Sequence, residues 1–163
     1  MNRERKPLSQ KPNKRKQKQT MPLRPNVGVC VLITKDDKIL LMKHKNSLGV
    51  ETWYTPGGHL EYGEFPEEYV IREMLEEMGL IITDVAFLAI TNDVFESRKK
   101  HYVTIWLAAR YASGELSMNT AYEISAVDWF SWDALPEPLF LPLEHLLTGQ
   151  CYPALWDFSD RHG

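Results

Sequence analysis

Cysteine is scarce in this chain. Only Cys30 and Cys151 occur among 163 residues, with no CxxC pair and no Cys/His cluster. A structural zinc site and a disulfide framework are therefore not expected, and two reduced thiols are. Long apolar runs are missing too. None approaches the ~20 residues needed to span a bilayer, and the first residues lack the apolar core of a secretory leader. The expectation is a soluble cytoplasmic protein with no membrane partner. Acidic and apolar residues are nearly absent from positions 1–24, which hold nine Lys and Arg against a single Glu. Such a segment cannot offset the entropy of ordering. Residues 1–24 are expected to be a disordered basic tail, and 25–163 one folded domain. The tail reads as a solvated arm, so nucleic acid is not expected as a partner.

What is present points to a globular domain. Hydrophobic residues make up 44% of the chain, enough for a domain of this length to bury a core. Beyond residue 24 the charge reverses, with ten basic against twenty-one acidic side chains. An acidic body repels anions, so a phosphate-bearing substrate would need metal ions to invert the local field.

Along the folded part, Val27, Val29, Val31 and Ile33 alternate. Ile39 to Met42 follow a polar Lys35 to Lys38 turn, which predicts a β-hairpin. Trp53-Tyr54-Thr55 leads into Pro56-Gly57-Gly58. A helical pattern runs from Pro66 to Met78 and is closed by Gly79. Strands are expected over Ile81 to Ser97 (with a break), His101 to Tyr111 and Ser125 to Trp132, and a short helix near Leu141 to Leu147. The order predicts an α+β domain, a mixed β-sheet with helices packed on it.

The helix around Arg72 carries the chemistry. Ile71, Met74, Leu75 and Met78 are read as its apolar stripe. Glu73, Glu76 and Glu77 are then read as the opposite side, at i, i+3 and i+4. Like charges at that spacing cost about 0.2–0.5 kcal/mol per pair. A hard divalent cation with oxygen ligands would relieve the repulsion. An acidic solvated face remains the plainer reading of a bare E-x-x-E-E. The surroundings argue against it: Gly57-Gly58 permits close backbone approach, Glu64 precedes the helix, and Arg72 directly precedes Glu73.

Gly58, Glu64 and Arg72-Glu73-Met74-Leu75-Glu76-Glu77-Met78-Gly79-Leu80 match every specified position of G-x5-E-x7-R-E-U-x-E-E-x-G-U, with U apolar. This resembles the Nudix box. The phrase Pro56 to Glu64 looks like the MutT-like branch, which hydrolyses nucleoside triphosphates. The resemblance implies an αβα sandwich. It implies that Gly58, Glu73, Glu76 and Glu77 hold Mg²⁺ or Mn²⁺, and that Arg72 and Glu64 orient the ligands. A carboxylate would accept the proton of the attacking water, either Glu76 or a residue outside the box. Glu123, in a loop where similar enzymes often carry a Glu, is the second candidate.

For the substrate, Trp53 and Tyr54 lie just before the box. Thr104 lies in His101-Tyr102-Val103-Thr104-Ile105, a run similar to one that lines the base pocket in this branch. Phe140 and Leu141 are expected to close the pocket. The implied reaction is (d)NTP to (d)NMP plus pyrophosphate. The alternatives are a sugar-nucleotide or prenyl diphosphate hydrolase, or a non-catalytic nucleotide-binding domain. A homodimer is compatible with the resemblance.

Overall fold

The computed structural model describes residues 22–45, 51–117 and 124–153. Most of the expected basic tail, and Glu123, lie outside the described residues.

The elements in chain order are β1 (Asn26–Lys35), β2 (Lys38–Lys45), β3 (Glu51–Tyr54), β4 (Gly57–His59), α1 (Pro66–Met78), β5 (Ile81–Phe95), β6 (Lys100–Ser113), β7 (Ile124–Ser131), α2 (Leu141–Leu147) and β8 (Cys151–Tyr152). They form one mixed sheet in the order β3-β2-β1-β6-β5-β8, with β4 on β1 and β7 on β2. The fold is α+β. Among the described residues no helix is long and apolar enough to cross a membrane.

The expected hairpin exists, and its turn is chemically clear. Asp36 and Asp37 both take positive φ, 47° and 46°. A two-residue hairpin turn that follows the strand twist requires this, and Asp tolerates it. The two strands stay paired only at Thr34–Ile39 and Lys35–Lys38. Then β1 leaves β2 to run parallel to β6 from Asn26–Tyr102 to Thr34–Arg110. Its other edge takes β4, through Gly28–His59, Val29–Gly58 and Cys30–Gly57. This splaying opens room for the box loop at the sheet edge.

Alternation along β1 divides the core. Val29, Val31 and Ile33 point to one face, where Val70, Met74 and Met78 of α1 cover them. Cys30 and Leu32 point to the other face, toward Trp106 and toward Leu143 and Leu146 of α2. Helices on both faces make the αβα sandwich. β5 is one continuous strand where the sequence suggested a break. Register irregularities between Ile81 and Ala89, with Asp84 at φ 53°, absorb the non-alternating residues.

The ends of α1 are fixed by Pro66 in the first turn and by Gly79, left-handed at φ 68°. Its rotation differs from the stripe read in the sequence. Tyr69, Val70, Met74 and Met78 are buried, whereas Ile71 and Leu75 are 47% and 55% exposed. The true buried row runs through 69/70, 74 and 78. It turns Glu73 and Glu77 inward at its border and leaves Glu76 outside.

Candidate active site

The site is built where the β4 edge meets α1. Gly57 is there because nothing larger fits: a Cβ on it would overlap the Val29 carbonyl oxygen and crowd Cys30. Its partner Cys30 is chemically quiet, since burial pushes the thiol up to about 12 against a hydrogen bond from Thr55.

Arg72 organises the carboxylates. Its Nε and Nη2 donate to both oxygens of Glu64, at 2.9 and 3.2 Å. Its Nη1 donates to Glu73 at 2.8 Å and to Glu76 at 3.1 Å. A planar fork is suited to this bidentate grip. Glu64 and Glu73 are less than one-fifth exposed, and Glu76 is 60% exposed. Glu77 takes no bond from Arg72. Burial, then its hydrogen bond to Glu73 and the Glu73 charge, lift it to about 7.

Glu73 therefore lies close enough to Glu77 for its hydrogen bond and charge to hold the Glu77 proton. Among the described residues, no three acid, histidine or cysteine side chains close on one point. A pair of carboxylates nevertheless fits Mg²⁺ chemistry. That ion usually takes one or two protein carboxylates and fills its remaining positions with water and substrate phosphates. The donors are all oxygen, the single Arg72 guanidinium only partly offsets their charge, and the Gly58 backbone can approach closely.

The other sequence candidates fall into two groups. Tyr54 and Phe140 meet edge to face at 6.4 Å. They join rings that the sequence reading did not choose. Phe95 stacks on Phe140 at 5.4 Å, Tyr102 meets Phe95 at 6.0 Å, and His59 bonds the Tyr102 hydroxyl at 3.1 Å. These partly exposed rings form a rim beside Gly58. Phe140 is anchored there because its N–H donates to the Trp53 carbonyl at 2.8 Å. Trp53 itself faces the other way and packs on Phe130 at 4.8 Å. Leu141 begins α2 and is half-buried. Thr104 is 3% exposed and donates its hydroxyl to Asp93 at 2.6 Å, two positions along its strand from Tyr102 of the rim. His59, Phe95 and Tyr102 come from three separate strands. Tyr102 lay in the His-Tyr-Val-Thr-Ile run and His59 in the Pro56 to Glu64 phrase, and Phe95 carried no signal.

Comparison with known proteins settles the family. The NUDIX domain model matches residues 22–148. The chain belongs to the Nudix family. This Nudix domain is 34% identical over 118 residues to the "ADP-ribose pyrophosphatase" of Methanocaldococcus jannaschii, covering 72% of this chain and 69% of that one. It is 33% identical to the "NAD-capped RNA hydrolase NudC" of Photorhabdus laumondii, over 69% of this chain and 42% of that protein. The chain thus spans less than half the length of that second relative. Among solved structures, the MutT NUDIX hydrolase from Burkholderia pseudomallei superposes with a TM-score of 0.67 at 31% identity, covering 72% of this chain and 92% of that one. The protein is a Nudix hydrolase, one of an enzyme family that cleaves phosphoanhydrides and generally uses divalent metal.

Proposed function

We propose that this Nudix hydrolase cleaves a nucleoside or deoxynucleoside triphosphate to the monophosphate and pyrophosphate. The observation that carries the reading is the adjacency of two features: the Arg72-organised carboxylates and the rim of Tyr54, Phe95, Tyr102 and Phe140. One suits the pyrophosphate and the other a flat base.

Glu73 and Glu77, with the Gly58 carbonyl and assistance from Glu76, would hold Mg²⁺ or Mn²⁺. Bound there, the metal supplies a Lewis acid for the phosphate oxygens and lowers the pKa of an attacking water. Arg72 and Glu64 keep Glu73 and Glu76 in place. Glu76 and Glu123 are the candidates to accept the water's proton. The rings stack on the base, and Thr104 together with Leu141 limits its depth and width.

A second reading has its own support. The similarity to an ADP-ribose pyrophosphatase favours a sugar attached through the diphosphate as leaving group. Initial rates with Mg²⁺ on dATP, dGTP, an oxidised dGTP, ADP-ribose, NADH and UDP-glucose separate the two. The triphosphate reading expects pyrophosphate release and at least a ~10-fold advantage in kcat/KM, about 1.4 kcal/mol, for one triphosphate. Faster cleavage of ADP-ribose would overturn it in favour of the second.

A further inference from the structure

Tyr69 is the one polar-tipped side chain in the buried row of α1. It is 5% exposed and belongs to the core with Val29 and Met74. Its hydroxyl reaches beneath the box loop. A methyl group placed on Gly58 would overlap Tyr69 Oη, and the only other atom within 4 Å is Tyr69 Cζ at 3.4 Å. Gly58 is not in the left-handed region. The single atom that forbids a side chain at Gly58 is therefore the phenol oxygen. On its other side, the Arg72 guanidinium lies over the ring at 5.6 Å from the centroid. Burial, and then the charges of Glu73 and Glu77, raise the phenol above its ordinary range, with Arg72 opposing.

We propose that Tyr69 is a positioning residue whose hydroxyl props the Gly57–Gly58 loop at a fixed height over Glu73 and Glu77, setting the spacing of the oxygens offered to a divalent cation. The inference rests on the metal-site reading above. The ring is locked by close packing, so its tip cannot drift by more than the core allows. The phenol oxygen stands where a Gly58 side chain would, so it limits how closely loop and helix can approach. Support of this kind matters because a ligand constellation must be held within roughly 0.5 Å to function.

Two variants and their combination test it in the full chain. Tyr69→Phe removes the oxygen and keeps the ring. Calorimetric titration with Mn²⁺ alone should show affinity weakened about tenfold, the low end for outer supports of metal ligands. The melting temperature in EDTA should stay within about 3 °C of wild type, a change of order 1 kcal/mol or less. Gly58→Ala should lower both the melting temperature and the affinity. Tyr69→Phe added to Gly58→Ala should restore part of both, because the methyl then faces Cζ at 3.4 Å.

Mn²⁺ affinity of Tyr69→Phe within about twofold of wild type would overturn the proposal, being far below the loss expected of such a support. So would a double variant no better than Gly58→Ala. Should the wild-type chain bind no Mn²⁺, the metal-site reading fails and takes the cation part of this one with it. The melting comparison would still decide whether the hydroxyl supports the loop.

Discussion

Two carboxylate clusters in this molecule are built on opposite terms. Asp93 is fully buried. Its Oδ2 accepts from Thr91 at 2.8 Å and Thr104 at 2.6 Å, and its Oδ1 accepts from His145 at 2.9 Å. Trp106 completes the network by donating to Thr91 at 2.9 Å. Every polar group there has a partner, and the cluster ties α2 to the sheet. The Arg72 cluster is nearer the surface and unbalanced. One guanidinium serves Glu64, Glu73 and Glu76, while Glu77 competes with Glu73 for a proton. A satisfied buried network rigidifies a fold. Four carboxylates around a single guanidinium leave an excess of negative charge, which an outside cation would balance. The first cluster should matter to stability and the second to turnover.

The strongest way to break that contrast is to neutralise the second cluster. Glu73→Gln and Glu77→Gln should each lower kcat by ~10²-fold or more. Glu77→Gln should not lower the melting temperature in EDTA, because a like-charge contact is removed, whereas Glu73→Gln also weakens the bond from Arg72. A kcat within about threefold of wild type in both variants, set against that ~10²-fold expectation, would mean the carboxylates are only an acidic surface.

The reverse experiment acts on Asp93. Asp93→Ala orphans two buried hydroxyls and the His145 Nδ1–H. The expected cost is roughly 3 kcal/mol, or about 6–12 °C in Tm for a chain of this length. Assayed cold enough to stay folded, the variant should lose less than ~10-fold in kcat, well short of the loss expected from the box carboxylates. A loss as large as that of Glu77→Gln with an unchanged Tm would erase the distinction between the clusters.

How much of this could be read in the sequence depends on the range of each interaction. Both helices were legible, α1 from Pro66 and Gly79 and α2 as a short helix near Leu141 to Leu147. Local rules govern caps. The box residues were legible because their spacing lies within one loop and one helix. The rotation of α1 was not, since Ile71 and Leu75 satisfy a helical stripe as well as Val70 and Met74 do. Only packing against β1 chooses between them. The parting of β1 from β2 was hidden for the same reason: alternation shows that a strand exists and not which edge it meets. Asp93 and His145 lie 52 positions apart, and no local pattern links them. The support that Tyr69 gives Gly58 left no trace in any local pattern. It appears only when the β4 edge is laid over α1.

A smaller effect sharpens the comparison further, through pH. Glu77 is held at about 7 in the folded chain, above its ordinary 4.5. An acid whose pKa is raised by folding favours the folded state when protonated. That contribution is complete below about pH 4.5 and disappears as pH rises through about 7. In EDTA, wild type should therefore lose stability between pH 5 and pH 8, whereas Glu77→Gln should lose less. Allowing for solvent screening of a group this exposed, the difference is of order 1 kcal/mol or less, about 2–4 °C in Tm. Mg²⁺ should reverse the order. A cation binds the ionised pair, so its stabilisation of wild type should grow over the same pH interval and be absent in Glu77→Gln. Asp93→Ala should leave both trends intact on a lower baseline, because its cluster shares no side chain with the box. A pH-independent gap between wild type and Glu77→Gln in EDTA would show that Glu73 and Glu77 do not contend for a proton. The charge imbalance that separates the two clusters would then have no measurable consequence.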